Sequence, residues 1–183
     1  MHPQTMIGEV KEMTGVKDQG RCGSCYVFFA VACIESMHAI RHGELRDLSV
    51  QQVISCTYNN PNHGCESGWS DKVIAYFMNH TIASWEDYPY TVYNKEPIPP
   101  CEEKPGVTKV DNLDQVAKNE ETMKQTLFTN GPLVVYIDAE PLKMYQGGII
   151  HSAFNNFTHA VTVVGYGTDT EDHWVVKNSW GTG

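Results

Sequence analysis

Cys25 and His159 are the two side chains whose types could carry nucleophilic chemistry together. A thiol becomes a good nucleophile when its thiolate is stabilised, and a helix N-terminus and a nearby imidazolium both do that. Cys25 opens a strongly apolar helical stretch, with the small residues Gly23 and Ser24 before it, and small residues let a substrate backbone approach closely. His159 would take the thiol proton and return it to a leaving amine. Two other uses of the thiols deserve weighing. Cys22-Gly23-Ser24-Cys25 has the spacing of a redox dithiol, but no βαβ pattern precedes it. A zinc site on Cys22, Cys25, Cys56 and Cys65 is disfavoured because the second pair lacks CxxC or HxxxH spacing.

The elements that would position these residues follow from the pattern. Tyr26–Ile34 is apolar all round, so the helix predicted from Cys25 to His42 is buried on all sides, with charge only towards its far end at Glu35 and Arg41. Gly43 relieves the left-handed conformation at its stop. Ser49-Val50-Gln51-Gln52 has the form of a capping box opening a short helix through Val53 and Ile54. A third helix is predicted over Asp71–Asn79, with Val73, Ile74 and Phe77 inward. Pro97, Pro99, Pro100 and Pro105 mark residues 81–112 as a long irregular connection. A further helix over Glu120–Asn130 is closed by Gly131-Pro132, and Leu133–Asp138, Ala160–Tyr166 and Trp174–Lys177 read as strands. A helical first half and a sheet-rich second half make an α+β arrangement.

Composition narrows the function classes. The 183 residues are 41% hydrophobic and 19% charged, ordinary for a globular protein of one domain or two lobes. A net charge of −9, with 13 basic residues scattered along the chain, argues against a nucleic-acid partner. No apolar run approaches the roughly 18–20 residues of a membrane span, and no signal peptide is visible near Met1. Six cysteines point to an oxidising compartment. The triplets Asn79-His80-Thr81 and Asn156-Phe157-Thr158 are acceptors compatible with secretion.

Gln19-Gly20-Arg21-Cys22-Gly23-Ser24-Cys25-Tyr26 closely resembles the active-site strip of papain-like cysteine peptidases, of the cathepsin L-like type. Asn156-Phe157-Thr158-His159-Ala160-Val161 looks like that family's histidine strip, and Val176-Lys177-Asn178-Ser179-Trp180-Gly181 like its asparagine strip. His159 follows Cys25 by 134 residues and Asn178 by 153, close to the family's spacing. Leu48-Ser49, Gln51-Gln52, Gly64-Cys65 and Gly68 match further landmarks. The resemblance implies a two-lobed fold within 1–183, with a helical lobe over about 12–110 carrying Cys25. A sheet-rich, barrel-like lobe over about 111–183 would carry His159 and Asn178 across the cleft.

It also implies roles for single residues. Asn178 would hold the His159 ring and Trp180 would shield that bond, while the Gln19 amide and the Cys25 N–H would form an oxyanion hole. Gly23, Gly68, Trp69, Ser70, Tyr136, Phe157, Ala160 and Trp180 would bind substrate; Tyr136 would make a shallow pocket that accepts Val, Leu or Pro, Phe less well and Arg poorly. Disulfides Cys22–Cys65 and Cys56–Cys101 are implied, leaving Cys25 free and Cys33 as a small buried hydrophobe.

The expected activity is endopeptidase hydrolysis through an acyl-enzyme, since the short stretch between Cys56 and Cys65 holds no inserted loop. No cofactor or metal is called for. Partners would be a peptide or protein substrate and a cystatin-type inhibitor or propeptide, in a secreted or lysosomal/endosomal-type setting. The sequence departs from the family at Tyr26 (usually Trp), at Ser67 (usually Gly) and at Met6-Ile7-Gly8. It also ends at Gly183, where the family continues through further strands, so a C-terminal truncation with an unpaired sheet edge is expected. An inactive relative acting as a binding or antigenic protein is the rival from another class, and an acyl transferase on the same site is a third.

Overall fold

The computed structural model describes residues 5–59, 61–152 and 156–182; the chain end at Gly183 lies outside them. Helix α1 spans Cys25–His42 and stops at Gly43, whose φ of 72° is left-handed and whose N–H bonds to Ala39 O at 2.8 Å. Its residues from Tyr26 through Ser36 are buried, as an all-round apolar helix requires. Helices α2 (Val50–Cys56) and α3 (Ser70–Phe77) pack beside it, with Val50, Val53, Ile54, Val73 and Phe77 completely buried. Each such side chain removed from water contributes about 1.5–3 kcal/mol. Helix α3 starts one residue earlier than the pattern predicts and ends two earlier.

The capping box at α2 is only half formed. Ser49 Oγ accepts from the Gln52 N–H at 3.0 Å, but the Gln52 side chain does not reach back to Ser49. Instead its Nε2 donates to Thr81 O at 2.9 Å and its Oε1 accepts from the Ala83 N–H at 2.8 Å. The Ser49 N–H is satisfied by Ala83 O at 2.9 Å, so the incoming strand takes over the job of the box. That strand, β2 (Ile82–Ala83), pairs antiparallel with β3 (Gly106–Thr108) and brackets the proline-rich connection. Cys56–Cys101 ties this connection to the end of α2, and Cys22–Cys65 ties the approach to α1 to the approach to α3.

The second half folds as expected around a sheet. Helix α4 (Glu120–Asn130) is capped by Asn119 Oδ1, which accepts from the Thr122 N–H at 2.8 Å. It leads into β4 (Leu133–Ile137), β5 (His159–Thr168) and β6 (Asp172–Lys177). Strand β4 pairs with the first half of β5, from Ile137↔His159 to Leu133↔Val163, and β6 pairs along its other edge. One strand was not foreseen: Thr5–Glu9 (β1) pairs with Gly165–Thr168 at the far end of β5. Because β6 overlaps both β1 and β4 in register, β1 and β4 share one edge of β5 end to end. Among the described residues β6 has no second strand partner. The α+β class is therefore observed, and among the described residues no helix is long and apolar enough to cross a membrane.

Candidate active site

The site forms where the head of α1 meets the head of β5. Ser24, the residue before α1, makes no side-chain cap; its hydroxyl shares a 3.1 Å hydrogen bond with Tyr90. The first helical N–H groups are thus left for whatever lies in front of them. Cys25 lies there, half-buried and outside both disulfides. Burial pushes its thiol pKa up, while the backbone of Ala160, Tyr26 and Cys25 itself pulls it back down.

His159, the first residue of β5, is 5% exposed. Its Nε2 bonds to Asn178 Oδ1 at 2.8 Å, and the same oxygen accepts from the Ser179 N–H at 2.8 Å. Two donors on one oxygen fix the amide so that Nε2–H donates, leaving Nδ1 as the ring's remaining basic nitrogen. Burial lowers the imidazole pKa and the bond to Asn178 raises it again. The Trp180 ring lies 4.9 Å from the imidazole at 33°. Phe29, one turn beyond Cys25, meets the imidazole edge-on at 5.8 Å. Burial thus disfavours the charged form of each group taken alone.

Gln19 is buried and fixed from three sides. Its Oε1 accepts from Ser179 Oγ at 2.6 Å, its Nε2 donates to Cys22 O at 2.9 Å, and its carbonyl accepts from Tyr90 OH at 2.8 Å. The Ser179 contact orients the amide, so one N–H of Nε2 remains for another acceptor. Backbone bonds Gln19 N–H to Ser179 O (2.8 Å) and Gly181 N–H to Lys17 O (3.1 Å) fasten the segment before Cys25 to the one after Asn178. Ser179 and Tyr90 were missed in the sequence reading. Ser179 stood within the asparagine strip beside a more obvious residue, and Tyr90 lay in a connection without periodicity.

The remaining candidates fall on both sides of this centre. The Gly23 N–H bonds to Cys65 O at 2.9 Å, a close approach that leaves no room for a side chain. A Cβ on Gly68 would collide with the Tyr26 ring, whose hydroxyl donates to Gly64 O at 2.9 Å. Trp69 is 61% exposed, held by its N–H on the buried Asn62 side chain at 3.0 Å, an anchor no sequence pattern announced. Ser70 is buried and bonded to Tyr136 across the gap. Ala160 is fully buried beside Tyr136 and Cys25, whereas Phe157 stands 67% exposed. Cys33 is free and buried within α1, its thiol pushed up to about 12 by burial. Among the described residues no cluster of three or more His, Cys, Asp or Glu gathers for a metal ion.

A free cysteine at a helix head, an imidazole bonded to an asparagine and packed against a tryptophan, and an oriented glutamine amide are the features this site brings together. Residues 5–183 match the family model described as papain family cysteine protease, and the chain belongs to that family. It is 36% identical to a Cathepsin L-like protein of Caenorhabditis elegans over 93% of this chain and 53% of that one. It is 39% identical to Zingipain-2 of Zingiber officinale over 91% of this chain and 76% of that one. The fold superposes on digestive procathepsin L 3 of Tenebrio molitor with a TM-score of 0.87 and 32% identity, over 98% of this chain and 62% of that one. The chain thus spans about half the length of the Caenorhabditis relative.

Proposed function

We propose that this chain is a thiol-dependent endopeptidase, with its cleft between a helical lobe (about 12–110) and a sheet-rich lobe (about 111–183). The observation that carries the reading is the fixed His159–Asn178 pair beside an unpaired thiol at the head of α1. Cys25 Sγ attacks the scissile carbonyl carbon while its proton resides on His159 Nδ1. The oxyanion is met by the Cys25 N–H and the free N–H of Gln19 Nε2, one such donor being worth about 3–4 kcal/mol of barrier. His159 then protonates the leaving amine, and water, deprotonated by the same imidazole, releases the acid and restores the thiol. Asn178 holds the ring and Trp180 keeps water from the bond. Gly23 and Gly68 would lend backbone to the substrate, and Trp69, Ser70, Tyr136, Phe157 and Ala160 would flank its side chains. A propeptide or a cystatin-type inhibitor would occupy the same cleft. Two disulfides suit a secreted or lysosomal/endosomal-type compartment.

The test is titration with a thiol-directed epoxide followed by peptide mapping, alongside peptide hydrolysis. One equivalent should bind at Cys25. Cys25→Ala should abolish both labelling and cleavage with unchanged far-UV circular dichroism. Label on Cys33 instead, or hydrolysis persisting in pure Cys25→Ala protein, would overturn the assignment. An intact fold that takes up no label would favour the inactive, binding relative.

The pairing of charges has its own test in the pH dependence of alkylation. An ordinary thiol is about 1% thiolate at pH 6.5, and burial pushes the isolated Cys25 thiol still higher. In His159→Ala the thiolate is therefore lost as pH falls, and iodoacetamide reactivity should drop about tenfold per pH unit below neutrality. The wild type should stay nearly flat over the same range. Identical profiles for the two proteins would refute proton transfer to His159.

A further inference from the structure

We propose that Tyr90 is a positioning residue, whose hydroxyl bridges Gln19 to the residue before Cys25 and so sets the spacing of the two N–H groups that receive the oxyanion; this rests on the peptidase reading. Those groups, on Gln19 Nε2 and on the Cys25 backbone, are six residues apart in the chain. Cys22 and Gly23 between them are anchored on Cys65, by the disulfide and by the Gly23 N–H. The peptide joining Gln19 to Gly20 is the loose link, because Gly20 stands at a left-handed φ of 61° that glycine leaves at little cost. Its N–H reaches Asp18 Oδ1 at 2.8 Å in an exposed bond. Its carbonyl is held by Tyr90.

The directions of the bonds follow from counting protons. Gln19 O can only accept, so the single proton of the phenol goes to it, at 2.8 Å. The 3.1 Å bond to Ser24 Oγ then runs the other way, the serine donating to the phenol oxygen. Burial pushes the Tyr90 pKa up to about 12, so the bridging proton stays in place near neutral pH. Ser24 is available because it does not cap α1. It is buried at the N-cap position, but its φ of −95° and ψ of 16° are not extended, and its hydroxyl meets no helix N–H. The ring behind the hydroxyl is fixed in turn, edge-on to Phe28 of α1 at 5.1 Å and 87°, and against Trp85 at 6.1 Å and 40°. One oxygen on a packed ring therefore spans from Gln19 to the head of α1. Donors held in place in advance need no rearrangement as charge develops on the substrate, and a pair free to drift loses part of that benefit.

Tyr90→Phe keeps the ring and removes the whole bridge, while Ser24→Ala removes one of its two bonds. For a single peptide amide, Tyr90→Phe should lower kcat about tenfold and leave KM within about twofold, since the lost interaction serves the transition state. That falls short of the about hundred- to thousandfold loss expected when a whole donor is removed. Ser24→Ala should lower kcat about threefold. Alkylation of Cys25 by iodoacetamide displaces iodide at a saturated carbon and develops no oxyanion, so both variants should match the wild-type rate within about twofold. In Gln19→Ala one donor is already gone, and adding Tyr90→Phe should cost no more than about twofold further. An unchanged kcat in Tyr90→Phe, an alkylation rate that falls in step with kcat, or effects of Tyr90→Phe and Gln19→Ala that multiply would overturn the proposal. Amide hydrogen exchange at Gly20 gives a readout independent of catalysis, and it should be faster in Tyr90→Phe than in the wild type. Equal exchange in the two proteins refutes the bridge. If wild-type Cys25 takes no epoxide and no peptide is cut, the peptidase reading fails, and the exchange result alone decides whether Tyr90 holds this stretch of chain.

Discussion

The helical and the sheet-rich parts of this molecule hold together by different means, and the two side chains proposed to react, Cys25 and His159, are divided between them. Around α1 the core is deep: Val27, Val31, Leu48, Val50 and Val53 have no exposed surface, and two disulfides fasten the loops above them. Around β5 it is thin. Every residue of β4 is only partly buried, and the buried cluster there consists of Ala160, Val161 and Phe29 among the described residues. Phe29 belongs to α1. The thiol therefore stands on a part that is packed in its own right, while the imidazole stands on a sheet that borrows its central ring from the other side. Placement of His159 against Cys25 is a property of the junction between the two parts.

The sharpest way to break this comparison is to remove the borrowed ring. Phe29→Ala should cost about 3–5 kcal/mol, the range for deleting a buried aromatic side chain. Its distribution matters more than its size. Amide exchange should accelerate most along β4 and β5 and least along α2, whose side chains pack in the other buried cluster. Equal acceleration in α2 would mean that the parts are not energetically distinct, and the contrast drawn above would be wrong.

A polar junction lies behind the site, and it is the next largest lever. The Glu35 carboxylate, 1% exposed within α1, accepts from Thr14 Oγ1 (2.6 Å), the Leu48 N–H (2.8 Å) and Lys17 Nζ (2.5 Å). Lys177, the neighbour of Asn178, donates to Thr14 O at 2.7 Å; burial lowers its pKa and Glu35 raises it again. Removing one partner of a buried ion pair costs about 3–5 kcal/mol. Because Lys17 also meets the exposed Asp47 at 3.1 Å, Glu35→Gln belongs at the low end, about 3 kcal/mol at pH 7. Without Glu35 the folded-state pKa of Lys177 falls further below its unfolded value of about 10.4. Between those two values the unfolded chain holds more protons, so the stability of the variant rises with pH. Urea midpoints should therefore show the deficit narrowing between pH 7 and pH 9.5; a deficit that widens would place the effect elsewhere than on Lys177.

What the sequence made legible divides along the same line. Helix α1 could be read to the residue because an apolar run without a polar face has one reading, and Gly43 marks its end. The span of α4 was equally plain, closed at Gly131-Pro132, although its cap Asn119 was not singled out. By contrast Thr5–Glu9 carries no alternation and becomes a strand only because β5 offers it an edge. Gln52 fits a capping box locally, yet Ala83 and Thr81 compete for its amide from about thirty residues away. Glu35 reads as a surface charge near a helix end, since nothing in the sequence shows that Thr14, Lys17 and Leu48 converge on it. The three strips made Cys25, His159, Asn178 and Gln19 visible. The roles of Ser179 and Tyr90 in fixing Gln19 had no such signal, because each depends on a long-range contact.

The smallest expected effect is also a matched comparison, because each part of the molecule has one side-chain-capped helix. Ser49 caps α2 with a 3.0 Å bond to the Gln52 N–H, and its hydroxyl also donates to Tyr88 O at 2.7 Å in a fully buried setting. Asn119 caps α4 with a 2.8 Å bond to the Thr122 N–H at an exposed site. Losing a cap costs about 0.5–2 kcal/mol, and the two substitutions should fall at opposite ends of that range. Ser49→Ala strands two groups that water cannot reach, the Gln52 N–H and Tyr88 O, so it should cost about 1.5–2 kcal/mol. Asn119→Ala leaves a donor that water can satisfy, so its cost should stay near 0.5 kcal/mol. Paired chemical denaturation of both variants, with unchanged m-values as the check on two-state behaviour, measures the difference. Equal losses would show that the burial around α2 adds nothing to its cap and that the two parts differ less than their cores suggest.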